Sequence, residues 1–194
     1  MTSVSDAAKV VLLGDSGVGK TSIVQRFITG KLGDSIKPTV GAAFLTKPIV
    51  VDGRVIELRI WDTAGQEVYR GLAPMYYRSA NIAVIVFDVT AHSSFESVEF
   101  WVKELKKNLK DNVVLIVCGN KIDLEEERCI SKEEAKGFAD KNGALYCEAS
   151  ATKGHGVNMV FEMAVSKMLS DMMGDSMEGK GVSLNEEKPA PKCC

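Results

Sequence analysis

Histidine is scarce in this chain of 194 residues, which contains only His92 and His155. Catalytic triads and many transition-metal sites depend on histidine, so the sequence gives these classes little support. The five cysteines lack the spacing of a zinc site or a disulfide framework, and we expect a reducing compartment. No apolar run approaches the roughly 20 residues that span a membrane. Because residues 1–9 also lack a hydrophobic signal region, we expect the chain in the cytosol unless something attaches it to a membrane.

A strong excess of either charge is absent too. The formal net charge is −2, so no basic field points to nucleic acid or to an anionic membrane. Hydrophobic residues make up 45% of the chain and charged residues 26%, which is ordinary for a globular protein. The length fits about one domain with a sizeable core. We therefore expect one globular domain that is a monomer and binds no nucleic acid.

Strand-like apolar segments alternate with helical patterns, which predicts a mostly parallel sheet with helices on both faces. Buried strands are predicted at residues 10–13, 82–87, 113–118 and 144–147. Residues 44–52 and 54–61 are two further arms around the hairpin turn Asp52-Gly53, and Pro48 predicts that the first arm is an edge strand. The expected fold class is α/β, with a six-stranded, mostly parallel sheet and one antiparallel edge strand.

Two capping boxes and one apolar stripe mark the predicted helices. Ser93 with Glu96, and Ser131 with Glu134, fit the pattern that opens a helix. The clearest helix packs an apolar stripe on the sheet. The stripe consists of Val157, Val160, Phe161, Ala164, Val165, Met168, Leu169 and Met172.

The composition changes near both ends of the sequence. After Gly174 the residues are mainly Gly, Ser, Glu, Lys and Pro without helical spacing, which predicts a disordered tail. We therefore divide the chain into a flexible N-terminus at residues 1–8, a globular domain at residues 9–173 and a tail at residues 174–194.

The strongest motif predicts a phosphate-binding loop that follows the first strand. The segment Gly14-Asp15-Ser16-Gly17-Val18-Gly19-Lys20-Thr21 matches G-x-x-x-x-G-K-[ST], and Ser22 follows it. Its glycines let backbone N–H groups surround phosphate oxygens, and the next helix directs its positive end to the same place. Lys20 can then reach the β- and γ-phosphates, and the Thr21 hydroxyl can ligate Mg²⁺. The position between a strand and a helix favours this reading over a glycine-rich turn.

A second segment begins where the second hairpin arm ends. Asp62 is placed to hold Mg²⁺, and Gly65 lets the backbone approach a γ-phosphate. Gln66 is a neutral donor and acceptor that can orient an attacking water. Alone, D-x-x-G is also compatible with a simple turn, but its position at a strand end favours a functional role.

A third segment, Asn120-Lys121-Ile122-Asp123, follows the strand at residues 113–118. A carboxylate such as that of Asp123 accepts hydrogen bonds from the N1–H and the N2 amino group of guanine. Adenine lacks these donors, so the carboxylate would reject it steeply. The alternative is an ordinary polar loop. With the phosphate loop, this segment predicts a GTP-binding protein.

These motifs occur in the order and spacing of the Ras-like small GTPases, and within them the chain resembles the Rab family. The match to a small G-domain of the P-loop NTPase type covers about residues 9–173. The segments that look most like the early-endosomal branch are Gly41-Ala42-Ala43-Phe44-Leu45-Thr46, Trp61 and Leu72-Ala73-Pro74-Met75-Tyr76-Tyr77-Arg78.

The resemblance implies further site residues. Thr39 is expected to ligate Mg²⁺ with Thr21 and Asp62, within a switch at residues 32–42 that orders with the triphosphate. A second switch is expected at residues 62–77. In the base loop, Ser150-Ala151-Thr152, the backbone N–H groups of Ser150-Ala151 would meet the guanine carbonyl, and Ser150 would support the loop. Lys20 and Gln66 would be the catalytic residues.

Three aromatic residues, Phe44, Trp61 and Tyr76, are implied to form the surface that effectors read. Strand aromatics usually bury, so core packing is the open alternative for them.

Several positions depart from the family pattern. Leu32 stands where the family usually has a phenylalanine that stacks on guanine, which predicts faster nucleotide release. The sequence leaves open whether another side chain closes this pocket. Ala149 and Thr152 replace a usual Thr and Lys, which could loosen the base pocket further. Val68 replaces a common basic residue and puts partner choice in doubt.

The last two residues, Cys193 and Cys194, are similar to the Rab ending that receives two geranylgeranyl groups, although the sequence also allows two unmodified thiols. Two lipids would anchor the chain stably. Residues 174–194 carry four acidic and three basic side chains, a net charge of −1, so no polybasic patch assists. The expected location is the cytoplasmic face of an intracellular membrane, of endosomal type, with cycling through the cytosol.

The predicted function is a trafficking switch that binds GTP or GDP with Mg²⁺ and hydrolyses GTP slowly. No arginine is placed to assist in cis, so an activating protein would supply one. The other expected partners are an exchange factor, effectors, an escort protein and a GDP-dissociation inhibitor. A metabolic P-loop kinase and a nucleotide-binding module without hydrolysis are the alternatives. The region of Gln66 and the Asn120–Asp123 segment fit the kinase poorly, and Thr39 and Gln66 argue against the module.

Overall fold

The structure, a computed structural model, describes residues 6–33, 38–65, 73–109 and 113–178. The strands in this part of the chain are β1 (Asp6–Leu13), β2 (Ala42–Val51), β3 (Arg54–Thr63), β4 (Ile82–Asp88), β5 (Val114–Asn120) and β6 (Leu145–Ala149). The helices are α1 (Lys20–Thr29), α2 (Ala73–Tyr77), α3 (His92–Asn108), α4 (Lys132–Lys141) and α5 (Val157–Glu178), and a 3₁₀ turn covers Glu125–Glu127. Among the described helices, none is both long and apolar enough to span a membrane.

The strands form a single six-stranded sheet in the order β2-β3-β1-β4-β5-β6. The β2–β3 pair is antiparallel, and β1, β4, β5 and β6 each pair in parallel with their neighbours. Pro48 lies in β2, which is the edge strand of the sheet, the position where proline is tolerated. Asp52 and Gly53 both have positive φ, at 51° and 74°, as a tight hairpin turn requires. The predicted fold class is confirmed.

Helices cover both faces of the sheet because successive strand residues point to opposite sides. On one face, Val10 and Leu12 of β1 pack with α1 and α5 in one buried cluster. On the other face, Val11 and Leu13 pack with α2, α3 and α4 in a second cluster. All seven residues of β4 are buried, which explains the continuous apolar run of this central strand.

Several predicted boundaries differ from the structure. β1 begins at Asp6, because residues 6–9 pair with β3, so residues 6–8 belong to the sheet and not to a flexible end. β3, β4, β5 and β6 continue past their apolar segments to Thr63, Asp88, Asn120 and Ala149. Apolar content under-predicted these ends because the last residues are polar or small and lie at the edge where loops begin.

The helix predictions were partly wrong. Ser131 is an N-cap, since its Oγ accepts a hydrogen bond from the Glu134 N–H at 3.1 Å. The box at Ser93 is wrong, because α3 begins at His92 after the extended residue Ala91, which puts Ser93 inside the first turn. α5 continues to Glu178, beyond the predicted start of the tail at residue 174. Met172, predicted in the buried stripe, is 57% exposed.

The carboxyl ends of β1, β3, β4, β5 and β6 meet at one edge of the sheet, because these strands run in parallel. Ligands of open α/β sheets bind in the crevice outside this edge. The three predicted motifs lie at the carboxyl ends of β1, β3 and β5, so the topology brings residues from distant parts of the sequence to one place.

Gly156 gives a stability prediction for this edge, because it starts α5 in the left-handed region at φ +70°. A Cβ there would lie 2.1 Å from the Glu148 carbonyl oxygen. Gly156→Ala should therefore destabilise the fold by at least about 3 kcal/mol, through backbone strain plus displacement of β6. Urea unfolding under identical conditions measures this loss.

The control for Gly156→Ala is Gly143→Ala. Gly143 has a nearly equal φ of +68°, but no atom of the described residues lies within 4 Å of its added Cβ. Only the backbone strain of about 1–2 kcal/mol applies there. Equal losses in the two variants would contradict the contact with Glu148.

Candidate functional site

The predicted phosphate loop lies between β1 and α1 and opens toward the sheet edge. Gly14, Gly17 and Gly19 have positive φ values of 134°, 80° and 96°, which bend the backbone around a concave surface. The cavity beside the loop has a volume of about 290 Å³. Its lining comprises Ser16, Gly17, Gly19, Lys20, Thr21, Ser22, Pro38, Thr39, Thr63 and Gly65.

Lys20 is the first residue of α1 and is only 5% exposed. Its Nζ donates to the carbonyl oxygens of Gly14 and Asp15, each at 2.8 Å. Burial lowers the pKa of Lys20 to about 8, although the charges of Asp62 and Asp15 oppose the shift. The ammonium therefore sits in the cavity with backbone dipoles as its partners, where a phosphate would restore its charge balance.

Three oxygen-bearing side chains meet beside Lys20. The hydroxyl oxygens of Thr21 and Thr39 are 2.7 Å apart, so the structure brings together residues from α1 and from the segment before β2. Asp62 is 1% exposed, and its Oδ1 has no hydrogen-bond partner among the residues that the structure describes. Burial raises the pKa of Asp62, and hydrogen bonds from Thr21 and Thr39 and the charge of Lys20 oppose the rise.

This arrangement fits a magnesium ion. Mg²⁺ prefers oxygen ligands and is usually held by one or two carboxylates with hydroxyl, water and phosphate oxygens. A buried carboxylate oxygen without a partner is costly, and a cation beside it would offset that cost. The orphaned Oδ1 of Asp62 is therefore the structural observation that matches the predicted metal set of Thr21, Thr39 and Asp62.

Gly65 brings the end of β3 against the phosphate loop. A Cβ at this position would lie 2.4 Å from the carbonyl oxygen of Asp15 and from the backbone nitrogen of Ser16. Only glycine allows this approach, and it places the Gly65 backbone on the cavity wall. Gln66 and Val68 lie outside the described residues.

Asn120 connects the phosphate loop with the base loop at residues 150–152. Its Nδ2 donates to the Val18 carbonyl at 2.8 Å, and its Oδ1 accepts from the Ala151 N–H at 3.3 Å. The side chain is 1% exposed. The sequence predicted Asn120 as a base-recognition residue, and the structure shows it as a bridge that sets the distance between the two loops.

Asp123 and Ser150 form the polar end of the crevice. The buried Ser150 hydroxyl donates to Asp123 Oδ1 at 2.5 Å and accepts from the Lys153 N–H at 3.0 Å. Asp123 itself is exposed. One carboxylate oxygen is thus fixed by the protein, and the carboxylate stands at the open side of the crevice, where it can accept further hydrogen bonds.

Asp88 belongs to this site although the sequence analysis did not select it. It ends β4, and its Oδ2 lies 2.6 Å from Lys121 Nζ. Burial alone would raise the pKa of Asp88, but hydrogen bonds from Lys121 and Thr90 outweigh it and lower the pKa. Lys121 has a φ of 68°, and this ion pair holds its side chain at the sheet edge. A polar residue at the end of a buried strand was the available signal.

Arg26 is a second residue that the sequence analysis missed. It lies in the last turn of α1, and its guanidinium donates to carbonyl oxygens of Ala151, Thr152 and Gly30. No local pattern marks it, because two of these partners lie more than a hundred residues along the chain.

The positions that depart from the family pattern are placed as follows. Leu32 is half-buried after α1, and Thr152 is exposed with its carbonyl on Arg26. Ala149 is fully buried at the end of β6, where its carbonyl accepts from the Ile122 N–H at 3.3 Å. The backbone at this position therefore joins the two base-side loops whichever side chain it carries.

The three aromatic residues form one continuous group at the surface. The ring centroids of Phe44 and Trp61 are 5.1 Å apart, and those of Trp61 and Tyr76 are 5.7 Å apart. Phe44 is 52% exposed, while Trp61 and Tyr76 are half-buried against the core. The open alternative was that all three side chains are buried in the core. It is wrong for Phe44, and Trp61 and Tyr76 pack against the core while part of each side chain stays exposed. Cys193 and Cys194 lie outside the described residues.

A phosphate loop at the carboxyl edge of a parallel sheet, with a magnesium-type oxygen group next to it, defines a P-loop nucleotide-binding protein. The model of the Ras family matches residues 9–170. The chain therefore belongs to the Ras family, and it is a small GTPase switch of the kind that binds GTP or GDP with Mg²⁺, exchange factors, activating proteins and effectors. The resemblance to a Ras-like small GTPase is confirmed, and the Rab branch stays a prediction.

Proposed function

We propose that the chain is a guanine-specific switch of Rab type that controls membrane traffic through nucleotide-dependent effector binding. The observation that carries the guanine part is the Ser150–Asp123 hydrogen bond, which fixes one carboxylate oxygen at the exposed end of the crevice. The N1–H and amino group of guanine supply the two donors that such a carboxylate accepts. Lys121 lies at the same edge of the sheet, where its ion pair with Asp88 holds it. The backbone of Ser150-Ala151-Thr152 would face the base carbonyl.

At the phosphate end, Lys20 and the backbone of residues 15–19 hold the phosphates. Lys20 changes partners on binding, from the carbonyl oxygens of Gly14 and Asp15 to the β- and γ-phosphate oxygens. Mg²⁺ supplies charge neutralisation at these oxygens when it is bound, and Thr21, Thr39 and Asp62 would hold it. Gly65 offers its backbone N–H to the γ-phosphate from the cavity wall.

Hydrolysis in this proposal is an off step and is slow without a partner. Gln66 orients the attacking water, and an arginine from an activating protein stabilises the charge of the transition state, with an effect of about 10³–10⁵ on the rate. Thr39 and Gly65 contact the γ-phosphate only in the triphosphate form, so its loss releases both switch segments.

The trafficking part of the proposal rests on the aromatic group. Phe44, Trp61 and Tyr76 lie on β2, β3 and α2, so one surface extends from just after the first switch region to the second switch region. In this proposal the surface changes with the nucleotide because both switch regions border it. Its likeness to the early-endosomal Rab surface supports an endosomal location. Lipidated Cys193 and Cys194 would hold the switch on the membrane, and an escort protein and a GDP-dissociation inhibitor would carry it through the cytosol.

The first experiment measures the release of fluorescent GDP and fluorescent ADP in millimolar Mg²⁺. We expect GDP to bind selectively, with negligible ADP binding. Equal binding of the two nucleotides would overturn the role of Asp123 and the guanine assignment with it. A single-turnover assay with GTP then tests for slow hydrolysis, and phosphoryl transfer to an added metabolite would reveal a kinase instead.

The Rab assignment is tested separately by lipidation. The full chain is incubated with an escort protein, a geranylgeranyl transferase and labelled geranylgeranyl diphosphate. We expect two labels per wild-type chain, one in each of the variants Cys193→Ser and Cys194→Ser, and none in the double variant. Failure to label the wild-type chain would remove the membrane anchor from the proposal and leave the guanine switch intact.

Leu32 gives a prediction about the speed of the switch. Stacking of a base on an aromatic ring contributes about 1–3 kcal/mol, and a leucine lacks the π-face. Leu32→Phe should therefore slow GDP release by roughly 5- to 150-fold, measured by displacement of fluorescent GDP. Leu32→Met is the control, since methionine has no ring. Identical rates for wild type and both variants would show that another group already closes the pocket.

A further inference from the structure

Arg26 links the helix that begins at the phosphates to the loop that faces the base. It lies about 1.7 turns after Lys20 in α1, and its Nε donates to the Ala151 carbonyl at 2.8 Å. One terminal nitrogen donates to the Thr152 carbonyl, and the other donates to the Gly30 carbonyl at 3.0 Å. The guanidinium thus contacts two consecutive carbonyls of the base loop and the end of its own helix.

We propose that Arg26 is a positioning residue for base recognition, which sets the orientation of the Asp123 carboxylate through the peptide between Thr152 and Lys153. The inference rests on the proposed guanine site and adds the residue that fixes the conformation of the base loop. Arg26 touches neither the phosphates nor the base in this scheme, and its effect passes through the loop.

The link follows from the planarity of the peptide bond. The C=O of Thr152 and the N–H of Lys153 belong to one trans peptide and point in opposite directions. Arg26 holds the C=O, so the N–H of Lys153 is directed at the Ser150 hydroxyl, from which it is 3.0 Å away. The same hydroxyl donates to Asp123 Oδ1 at 2.5 Å. A charged donor on the carbonyl also polarises this chain of hydrogen bonds.

The hydrogen bond from Arg26 Nε to the Ala151 carbonyl fixes the preceding peptide, between Ala151 and Thr152, in the same way. The C=O of Ala151 accepts from Arg26, so the N–H of Thr152 points away from α1. Asn120 holds the preceding N–H, that of Ala151, at 3.3 Å. The peptides around Ala151 are therefore fixed from two sides, by Arg26 from α1 and by Asn120 from β5.

The guanidinium suits this position better than an ammonium would. Its planar fork donates several hydrogen bonds in fixed directions, whereas a lysine offers one compact charge. The base loop also closes over the arginine, because a Cβ at Gly154 would lie 3.7 Å from Arg26 Cδ. The side chain of Arg26 is half-buried between α1 and the loop, and its guanidinium is hydrogen-bonded to both of them.

The test compares GDP with inosine diphosphate. Inosine lacks the exocyclic amino group from which Asp123 is proposed to accept a hydrogen bond. The release rates of both nucleotides are measured for wild type, Arg26→Met and Arg26→Lys, with Arg59→Met as control. Arg59 is an exposed arginine of β3 paired with Glu57 and lies outside the site. Arg26→Lys keeps the charge and the stem, so it serves if Arg26→Met does not fold.

We expect Arg26→Met to release GDP about tenfold faster, the scale of one buried charged hydrogen bond. The ratio of inosine diphosphate to GDP release rates should also fall toward one, because a misdirected carboxylate no longer senses the amino group. Single-turnover GTP hydrolysis should stay within about twofold of wild type, since Lys20 and Thr21 are untouched. Arg26→Lys should lie closer to Arg26→Met than to wild type.

The outcomes separate the proposal from the function on which it rests. A wild-type protein that releases both nucleotides at one rate contradicts the proposed guanine site itself. If wild type discriminates and Arg26→Met keeps the same ratio, Arg26 is a structural tie only and the proposal is overturned. A double-mutant cycle with Ser150→Ala adds a second criterion, because two residues in one chain of hydrogen bonds should show non-additive effects on the ratio.

Discussion

The variant Asp123→Asn is expected to bind xanthine nucleotides in preference to guanine nucleotides. In wild type, Ser150 donates to one carboxylate oxygen, which leaves the other for the base. In the variant, the asparagine oxygen can keep the Ser150 hydrogen bond, which turns the amide nitrogen toward the base. That nitrogen donates, so it clashes with the donors of guanine and matches the C2 carbonyl of xanthine. A site built on such hydrogen bonds discriminates by about 10⁴–10⁵.

Competition against fluorescent GDP measures this change. GDP, xanthosine diphosphate and ADP are titrated against wild type and Asp123→Asn in the presence of Mg²⁺. Glu125→Gln is the matched control, because Glu125 is an exposed acid two residues away in the 3₁₀ turn. We expect the control to keep guanine preference. Retention of guanine preference by Asp123→Asn would mean that another group reads the base, and that Ser150 does not orient the Asp123 carboxylate toward it.

The phosphate side of this site was readable from the sequence because its chemistry is contiguous. Gly14 to Thr21 carry the glycines, the cation and the hydroxyl within one short segment that joins a loop to the start of a helix, so the spacing alone defines their geometry. Asp62 and Gly65 were found because they follow a predicted strand at the same sheet edge. The structure adds a reason for Gly65, since a side chain there would enter the backbone of Asp15 and Ser16.

The supporting residues of the base side were not readable, because they depend on contacts across the fold. Asp88 pairs with Lys121 only because β4 and β5 are neighbours in register, with Asp88 opposite Asn120. Arg26 reaches Ala151 only because the end of α1 packs beside the loop that precedes α5. Sequence spacing gives no hint of either pair.

The fold was predicted at the level of elements and less well at their ends. Buried strands such as β4 produce continuous apolar runs, so their existence and order were clear. The first residues of β1 are exposed on both sides of the pleat, which removes the apolar signal although they pair with β3. Ser93 matched a capping pattern and could cap a helix that begins at residue 94, but the turn at Asp88 to Ala91 starts α3 two residues earlier, at His92.

A second large effect is expected at Asp62, where Asp62→Asn should change stability and nucleotide retention in opposite directions. The wild-type carboxylate is 1% exposed, and its Oδ1 has no partner within the described ranges, so without a cation it is a buried charge that costs free energy. The neutral amide should therefore make the nucleotide-free, metal-free protein more stable. For a chain of this length, each 1 kcal/mol raises Tm by about 2–4 °C.

The same substitution should weaken the hold of Mg²⁺ on the nucleotide. Loss of a carboxylate that binds or orients a metal ion lowers metal affinity by about 10–100-fold or more. We expect GDP release from Asp62→Asn in millimolar Mg²⁺ to be faster by a similar factor, and close to the rate that wild type shows after EDTA is added. EDTA should then have little further effect on the variant.

Asp52→Asn is the matched control for both measurements, because Asp52 is an exposed residue of the β2–β3 turn far from the loop. It should leave the Tm, the release rate and the response to EDTA at their wild-type values. An Asp62→Asn protein that EDTA still accelerates as much as wild type would show that Thr21, Thr39 and the phosphates hold the metal without Asp62. A lower Tm for the metal-free variant would show that the hydroxyls of Thr21 and Thr39 already offset the buried charge. The Asp62 carboxylate would then not destabilise the metal-free fold, which contradicts the role given to its Oδ1.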